Sequence, residues 1–480
     1  MPTVAISALS DSGQARMTTF IIFSGFPRTL KGRGNDKDCM EKHYYDYQTK
    51  KAMNNFPFTF RKTPIDFLHS IVEIKKAAAI AHANVHELKA NRADVIVKAC
   101  NEILTGKFDD QFMLPAFQGG AGTSNHMNVN EVIAGIATEI IHHSDKKFVV
   151  HPNDHVNRSH STNDVMPSAL RITGIRRTNK LLATVKELTR IFDKKADQFH
   201  RIQKLGRTHM QDAAPITLGS EFKAYSDSIK RGSKRIAQAL ENLYELNLGG
   251  SAVGNSINAS SRYIRTLYPQ LRLITKVSVR PAENFMPLTS SNADFVALSQ
   301  ALTALCVDLA KIAHDLRFLS SGPNGGIGEL RLPELQPGSS IMPGKVNPIM
   351  PEAVTQLYCL VSGNNLTIEL AAQAAQLEMA VFLPVITDRL LESLQLMDEM
   401  LAQFGKTCVE GITVDKKRCK ELLERSTAFA VCLTPKLGYE TVAQAVKESV
   451  RSGKTLRKVI LEKKLLTNKQ FNALVKSAIK

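Results

Sequence analysis

The sequence predicts an all-α protein built around a bundle of long helices, on three observations. Apolar residues recur at helical steps over several stretches of ~30 residues or more. Alternating strand patterns are nearly absent. Helices of that length cannot bury their stripes alone, so they pack as a bundle and against other subunits.

From Lys50 to about Lys107 the pattern is helical, with clusters such as Ile71-Val-Glu-Ile-Lys-Lys-Ala-Ala-Ala. A loop with Gly119, Gly120 and Gly122 follows, then a helix from Glu131 and a second loop from His151 to Asn163. From Asp164 to Gln203, Leu181, Leu182, Val185, Leu188, Ile191, Phe192 and Phe199 form one face of a long helix. Similar stretches run from Leu218 to Leu248, Asn292 to Leu319 and Ile349 to Phe404, the last expected to kink at Pro384. The tail from Thr413 is short, basic and helical, and reads as a small separate domain. The expected divisions are an N-terminal extension over 1–40, a helical domain over 41–163, the long-helix bundle over 164–412 and a small helical domain over 413–480.

A chain of 480 residues, 43% hydrophobic and 22% charged, has ample material for a core and two or three domains. No run of about 18 uncharged apolar residues occurs, so no membrane partner is expected. The net charge of +17 is dispersed, without a zinc-finger, aromatic RNA-binding or basic-helix pattern, so no nucleic-acid partner is expected either. A solvated basic surface and a field steering small dianions both fit. The seven cysteines are scattered without a CxxC pair, which fits a reducing compartment and small buried apolar roles. The first residues carry Arg16, Arg28, Lys31 and Arg33 with few acids. They read as a targeting segment, a disordered extension, or a start displaced to Met17 or Met40. The expected compartment is the cytoplasm, or the mitochondrion if 1–40 is a transit segment.

Four stretches are rich in small polar groups. In Gly119-Gly-Ala-Gly-Thr-Ser-Asn-His-Met-Asn128, Thr123 can bind a carboxylate together with backbone N–H groups freed by the glycines, or the stretch is a plain turn. It is no dinucleotide fingerprint, because the spacing fails. Ser161, Thr162 and Asn163 offer uncharged donors in a row, or cap a helix with Asp164. His151, Asp154 and His155 before them lack the further ligands that a zinc site needs, and no metal is expected. In Gly206-Arg-Thr-His-Met-Gln-Asp212, Thr208 can hold a carboxylate, and His209 can shuttle a proton or be structural. The fourth is Gly338-Ser-Ser-Ile-Met-Pro-Gly-Lys-Val-Asn-Pro348. It joins hydroxyls that can act as nucleophile or base to Lys345, which can neutralise a carboxylate, ahead of a helix start that favours anions. Together the four favour a shared polar pocket for a small acid.

These stretches resemble the aspartase/fumarase superfamily of lyases, from about Tyr44 to Leu474. The Gly338–Pro348 loop is highly specific to that family, and Ser-Thr-Asn-Asp and Gly-Arg-Thr-His precede it in the family's order. The resemblance implies a three-domain all-helical subunit, a homotetramer on a central twenty-helix bundle, sites shared by three subunits, and no cofactor. Ala121, His155, Thr162, Pro333-Glu-Leu-Gln336 and Ile349-Met-Pro-Glu352 look like the branch that deaminates aspartate. His209 is usual in the branch that hydrates fumarate. A structural homologue without activity is a further alternative, against which Ser339, Lys345, His209 and Asn347 speak.

The resemblance also implies roles. Ser339 is the base, with Lys345 and His209 beside it in the chemistry. Thr123, Ser161, Thr162 and Ser340 hold the carboxylate that gains charge. Thr208, Lys345 and Asn347 hold the other. Asn163 and His209 contact the amino group, or the hydroxyl in the branch that hydrates fumarate, and Glu352 orients His209. Three positions depart from the family pattern: Asp46 stands for a glycine, His126 for an asparagine and Ala380 for an asparagine.

Overall fold

The computed structural model describes residues 42–142 and 147–479. The expected N-terminal extension lies outside the described residues. What is described is helical, with only short strands, as the apolar stripes predict.

The Lys50–Lys107 pattern is three helices: α1 (Tyr47–Asn55), α2 (Ile65–Asn84) and α3 (Ala90–Ile103). Pro57 and Pro64 fall in the first break, and each disfavours helical backbone at the residue before it. Helix α4 (Thr123–His142) starts eight residues before the expected Glu131. Asn is a weak helix former, but here Asn125 donates to Thr63 Oγ1 (2.9 Å) and Asn128 to the Gln111 carbonyl (3.3 Å), so tertiary contacts override propensity. Glu131, nearly buried, accepts from the backbone N–H groups of Asp46, Gln48 and Thr49 and from the Thr49 hydroxyl, which ties α1 to α4.

The bundle consists of α5 (Thr162–Phe199), α6 (Leu218–Leu240), α9 (Ala293–Leu319), α10 (Ile349–Gln373) and α11 (Leu383–Thr407), with α7 (Ser261–Thr275) and α8 (Phe285–Ser290) between α6 and α9. The expected kinked helix over Ile349–Phe404 is therefore two helices, α10 and α11. Pro384 does not bend a helix; it sits in the first turn of α11, where its missing N–H costs nothing. Helix α5 packs on α6 and α11, α10 on α9 and α11, and α6 on α9. Leu302, Leu305 and Leu309 of α9 meet Ile386, Leu390 and Leu394 of α11 in one core. By length and composition α9 passes for a membrane span, yet half of that window is buried within the protein.

Between α5 and α6 lies a feature the sequence pattern did not predict. The stretch containing Gly206–Asp212 is an antiparallel hairpin, β1 (Gln203–Thr208) and β2 (Gln211–Thr217). Its two turn residues, His209 (φ +53°) and Met210 (φ +61°), are both left-handed, a geometry that usually selects Asn-Gly.

After α11 come α12 (Lys416–Arg425), α13 (Ala430–Leu437), α14 (Tyr439–Ser452), α15 (Leu456–Glu462) and α16 (Asn468–Ala478). They close over their own apolar cluster, including Phe429, Leu433, Val459 and Phe471, to which Leu205 of β1 contributes. None of the six cysteines among the described residues is in a disulfide, and all but Cys359 are buried.

Candidate functional site

At the start of α5, Ser161 is the N-cap: its hydroxyl accepts from Asn163 N–H (3.2 Å), and Asp164 Oδ1 accepts from Ser161 N–H (3.0 Å). The capping reading of this stretch is thus realised. Asp164 also accepts from Gly249 and Ser251 N–H at 3.1 and 3.0 Å. Burial pushes its carboxyl up to about 6 against the pull of those donors. Asn163 donates to the Ala252 carbonyl (2.7 Å). Thr162 and Asn163 line a small crevice with Ala121, Asn292, Met379 and Ala380. So two of the departing positions frame the site: Ala380 lines this crevice, and His126 bonds Thr162 from behind, its Nδ1 3.0 Å from Thr162 Oγ1.

Thr123, exposed, opens α4 directly after three left-handed residues, Gly120, Ala121 and Gly122. Gly122 has φ +89°, a conformation that favours glycine, and a Cβ there would also push on Met166 Cε at 2.6 Å. Thr123 N–H is taken by the Gly120 carbonyl, and the following N–H groups of the first turn have no acceptor within the helix, a setting that favours anions.

The other polar residues gather elsewhere. Thr208 and His209 occupy the exposed tip of the hairpin. The Gly338–Pro348 loop is closed on itself: Gly338 N–H donates to the Lys345 carbonyl (2.7 Å), and Asn347 Nδ2 to the Gly338 carbonyl (2.8 Å). A Cβ on Gly338 would lie 2.6 Å from that Lys345 oxygen. Within the loop, Ser339 Oγ accepts from the N–H groups of Ile341 (3.2 Å) and Met342 (3.1 Å). Such donors stabilise an alkoxide relative to a hydroxyl. Ser340 is exposed beside it. Lys345, Asn347, Glu352, Arg317, His314 and Met210 line one cleft of about 860 Å³, whose cations suit a dianion. Glu352 lies 4.0 Å from Arg317.

The hairpin is held from below. Glu329 is fully buried and receives Lys204 Nζ (3.2 Å) and Arg207 Nη2 (2.9 Å). Lys204 also reaches Glu221 at 3.0 Å.

One chain does not bring the two groups together. Helix α5 has 38 residues between Thr162 and Phe199, roughly 57 Å at 1.5 Å per residue. The Thr123 and Ser161–Asn163 group stands at its first end. The hairpin and the Gly338–Pro348 loop stand at its second, where Leu218 N–H meets the Ile202 carbonyl (2.8 Å).

The candidates singled out from sequence omitted the buried partners. Lys75 is fully buried in α2, with Nζ 2.7 Å from His126 Nε2 and from Asn157 Oδ1, and 3.1 Å from His160 Nδ1. Its sequence signal was a charge at a helical step within the apolar stripe Ile71, Ile74, Ala78. Glu329 gave no such signal. His151 and His155 cap their own loop, His151 Nδ1 accepting from Asp154 N–H (3.1 Å) and His155 Nδ1 from His151 N–H (2.8 Å).

A family model described as Lyase matches residues 38–363, and one described as Fumarase C C-terminus matches 430–478. The aspartate ammonia-lyase of Bacillus subtilis (strain 168) is 41% identical over 433 residues, 90% of this chain and 91% of that protein. The "fumarate hydratase class II 2" of Bradyrhizobium diazoefficiens is 40% identical over 434 residues, 90% of this chain and 92% of that protein. Among solved structures, a fumarate lyase:delta crystallin from Brucella melitensis, bound to cobalt, superposes with a TM-score of 0.86 at 38% identity, covering 90% of this chain and 95% of that one.

Proposed function

The chain belongs to the aspartase/fumarase superfamily of lyases, and from that premise we propose that it is an aspartate ammonia-lyase, converting L-aspartate reversibly to fumarate and ammonia. The observation that carries the chemistry is the pair of N–H groups bonded to Ser339 Oγ in a loop that also presents Lys345. Deamination removes a weakly acidic proton from the carbon beside a carboxylate and leaves an aci-carboxylate with two negative charges. The site must stabilise charge that the ground state lacks.

Ser339 takes the proton. Its hydroxyl is too weak an acid to ionise unaided near neutrality, so the two backbone donors and Lys345 supply the stabilisation. Thr123, Ser161, Thr162 and Ser340 receive the carboxylate that gains charge, through hydroxyl and N–H donors. Thr208, Lys345 and Asn347 hold the other carboxylate. Asn163 and His209 meet the amino group, and Glu352 orients His209 across the assembled site.

That assembly is a homotetramer whose sites draw on three subunits. Two facts support this reading: the roughly 57 Å between the two polar groups of one chain, and the exposure of Leu360, Leu366 and Leu370 along α10, an apolar face that calls for a partner. No organic cofactor is needed for the steps above.

Substrate choice rests on Ala121, His155, Thr162, Pro333–Gln336 and Ile349–Glu352, which resemble the aspartate-specific branch. His209 favours the second reading, a class II fumarate hydratase. Ultraviolet absorbance of fumarate, followed with L-aspartate and then with L-malate, tests the choice. Fumarate appearing from aspartate supports the proposal, and turnover of malate alone overturns it.

A further inference from the structure

Behind Thr162 lies a buried cation that none of these steps uses. The three groups around Lys75 Nζ, namely His126 Nε2, Asn157 Oδ1 and His160 Nδ1, match the three hydrogens of an ammonium. Among the described residues no carboxylate stands within ion-pairing distance of it; Asp164 acts on it from farther off. Both imidazoles are neutral, because burial and then the charge of Lys75 push them far below the usual histidine range. Burial also lowers Lys75 itself to about 7, against the pull of Asp164.

When Lys75 is protonated its ammonium can only donate, and the tautomers follow from these contacts. With Nε2 accepting from Lys75, the hydrogen of His126 sits on Nδ1, 3.0 Å from Thr162 Oγ1. With Nδ1 of His160 accepting, its Nε2–H donates to the Tyr263 hydroxyl at 2.8 Å. His126 therefore donates to Thr162 and occupies a lone pair of Oγ1. The Thr162 hydrogen is left to point away from His126, and Thr162 lines the crevice with Asn163 and Ala121.

We propose that Lys75 and His126 are positioning residues that set the direction of the Thr162 hydroxyl, so that it serves only as a donor to a bound carboxylate. A hydroxyl free to turn can present either a proton or a lone pair, and a lone pair facing a carboxylate repels it. The relay removes that orientation before the ligand arrives, so no reorganisation is needed on binding. The inference rests on the proposed role of Thr162 as a carboxylate ligand, and holds for either substrate reading.

The test uses the full-length oligomer and fumarate as the probe, with Kd measured by calorimetry and folding checked by circular dichroism. Thr162→Val is the benchmark. If it leaves fumarate affinity unchanged, the carboxylate role of Thr162 fails, whatever the relay does. If it weakens binding, His126→Leu is expected to weaken binding roughly tenfold or more and to add nothing in the Thr162→Val background. His126→Asn keeps an N–H near the Nδ1 position and is expected to bind within about threefold of wild type. His126→Gln reaches Lys75 but loses the donor to Thr162, and is expected to resemble His126→Leu. Should His126→Leu not fold, the Asn and Gln variants decide. Equal affinities of those two, or an effect of His126→Leu that persists in full without the Thr162 hydroxyl, overturn the relay.

Discussion

Lys204 Nζ lies 3.2 Å from the carboxylate of Glu329, and water is excluded from both side chains. Arg207 reaches the same carboxylate at 2.9 Å. This buried cluster fixes the root of the hairpin whose tip carries Thr208 and His209, against the chain that leads into the Gly338–Pro348 loop. Glu329→Ala would take away the carboxylate of Arg207 and leave Lys204 with Glu221 alone, and a loss of about 3 kcal/mol is expected. Urea denaturation measures it. A change below about 1 kcal/mol would mean that the cluster is not holding the hairpin.

Ser339→Ala is expected to lower kcat by roughly a hundredfold or more while the oligomer stays folded, because one such group supplies a few kcal/mol. Near-normal turnover would remove Ser339 from the role of base. Lys345→Ala is expected to raise KM and lower kcat together.

Activity should rise on mixing two impaired proteins. Ser339→Ala and Thr162→Val are altered at opposite ends of the bundle, so unfolded and refolded together they should form hybrids with some intact sites. At equal amounts about a quarter of the sites receive both native residues. Activity of the mixture no greater than that of its parents would contradict shared sites.

Gly338→Ala places a Cβ where the Lys345 carbonyl already stands at 2.6 Å. The loop must open, and Ser339 and Lys345 lose their register. We expect kcat/KM to fall at least about tenfold with thermal stability nearly unchanged, since the loop is exposed. A large drop in Tm would instead mark the glycine as part of the core.

Asp193 of α5 is gripped by three groups of α6: Lys230 (2.9 Å), Ser226 (2.7 Å) and Lys223 (3.1 Å). Burial raises its carboxyl, and these hydrogen bonds outweigh that and hold it at about 2, below its ordinary 3.8. A depressed acid stabilises the fold above its unfolded value and loses that contribution as pH falls toward the folded one. Asp193→Asn should therefore cost stability at pH 7, and its gap to wild type should shrink between pH 4 and 2, in denaturation series across that range. A gap independent of pH would place the effect in packing.

The long stripes were legible because residues such as Leu181, Val185, Leu188 and Phe192 repeat with the helical period and are all buried. The hairpin was not. Lys-Leu-Gly-Arg-Thr and Asp-Ala-Ala-Pro-Ile-Thr carry little alternation, and Thr-His-Met-Gln contains neither the glycine nor the asparagine that marks a two-residue turn. The Pro384 error has a similar root: a proline inside an apolar-periodic stretch marks a kink or a helix start equally well, and only the fold decides. Ser161, Thr162 and Lys345 stood out because small polar groups clustered in sequence. Lys75 and Glu329 act from within the core, where composition conceals them, and their partners are distant along the chain. The gap between the two polar groups was equally hidden, because the order of residues does not show how far a helix carries one loop from another.

The length of α5 has a kinetic corollary. If chemistry needs hydroxyls from one end of the rod and the loop from the other end of a neighbour, then an isolated protomer is inert however well it folds. Specific activity would then vanish on dilution below the concentration at which the quartet dissociates, and return on concentrating the sample.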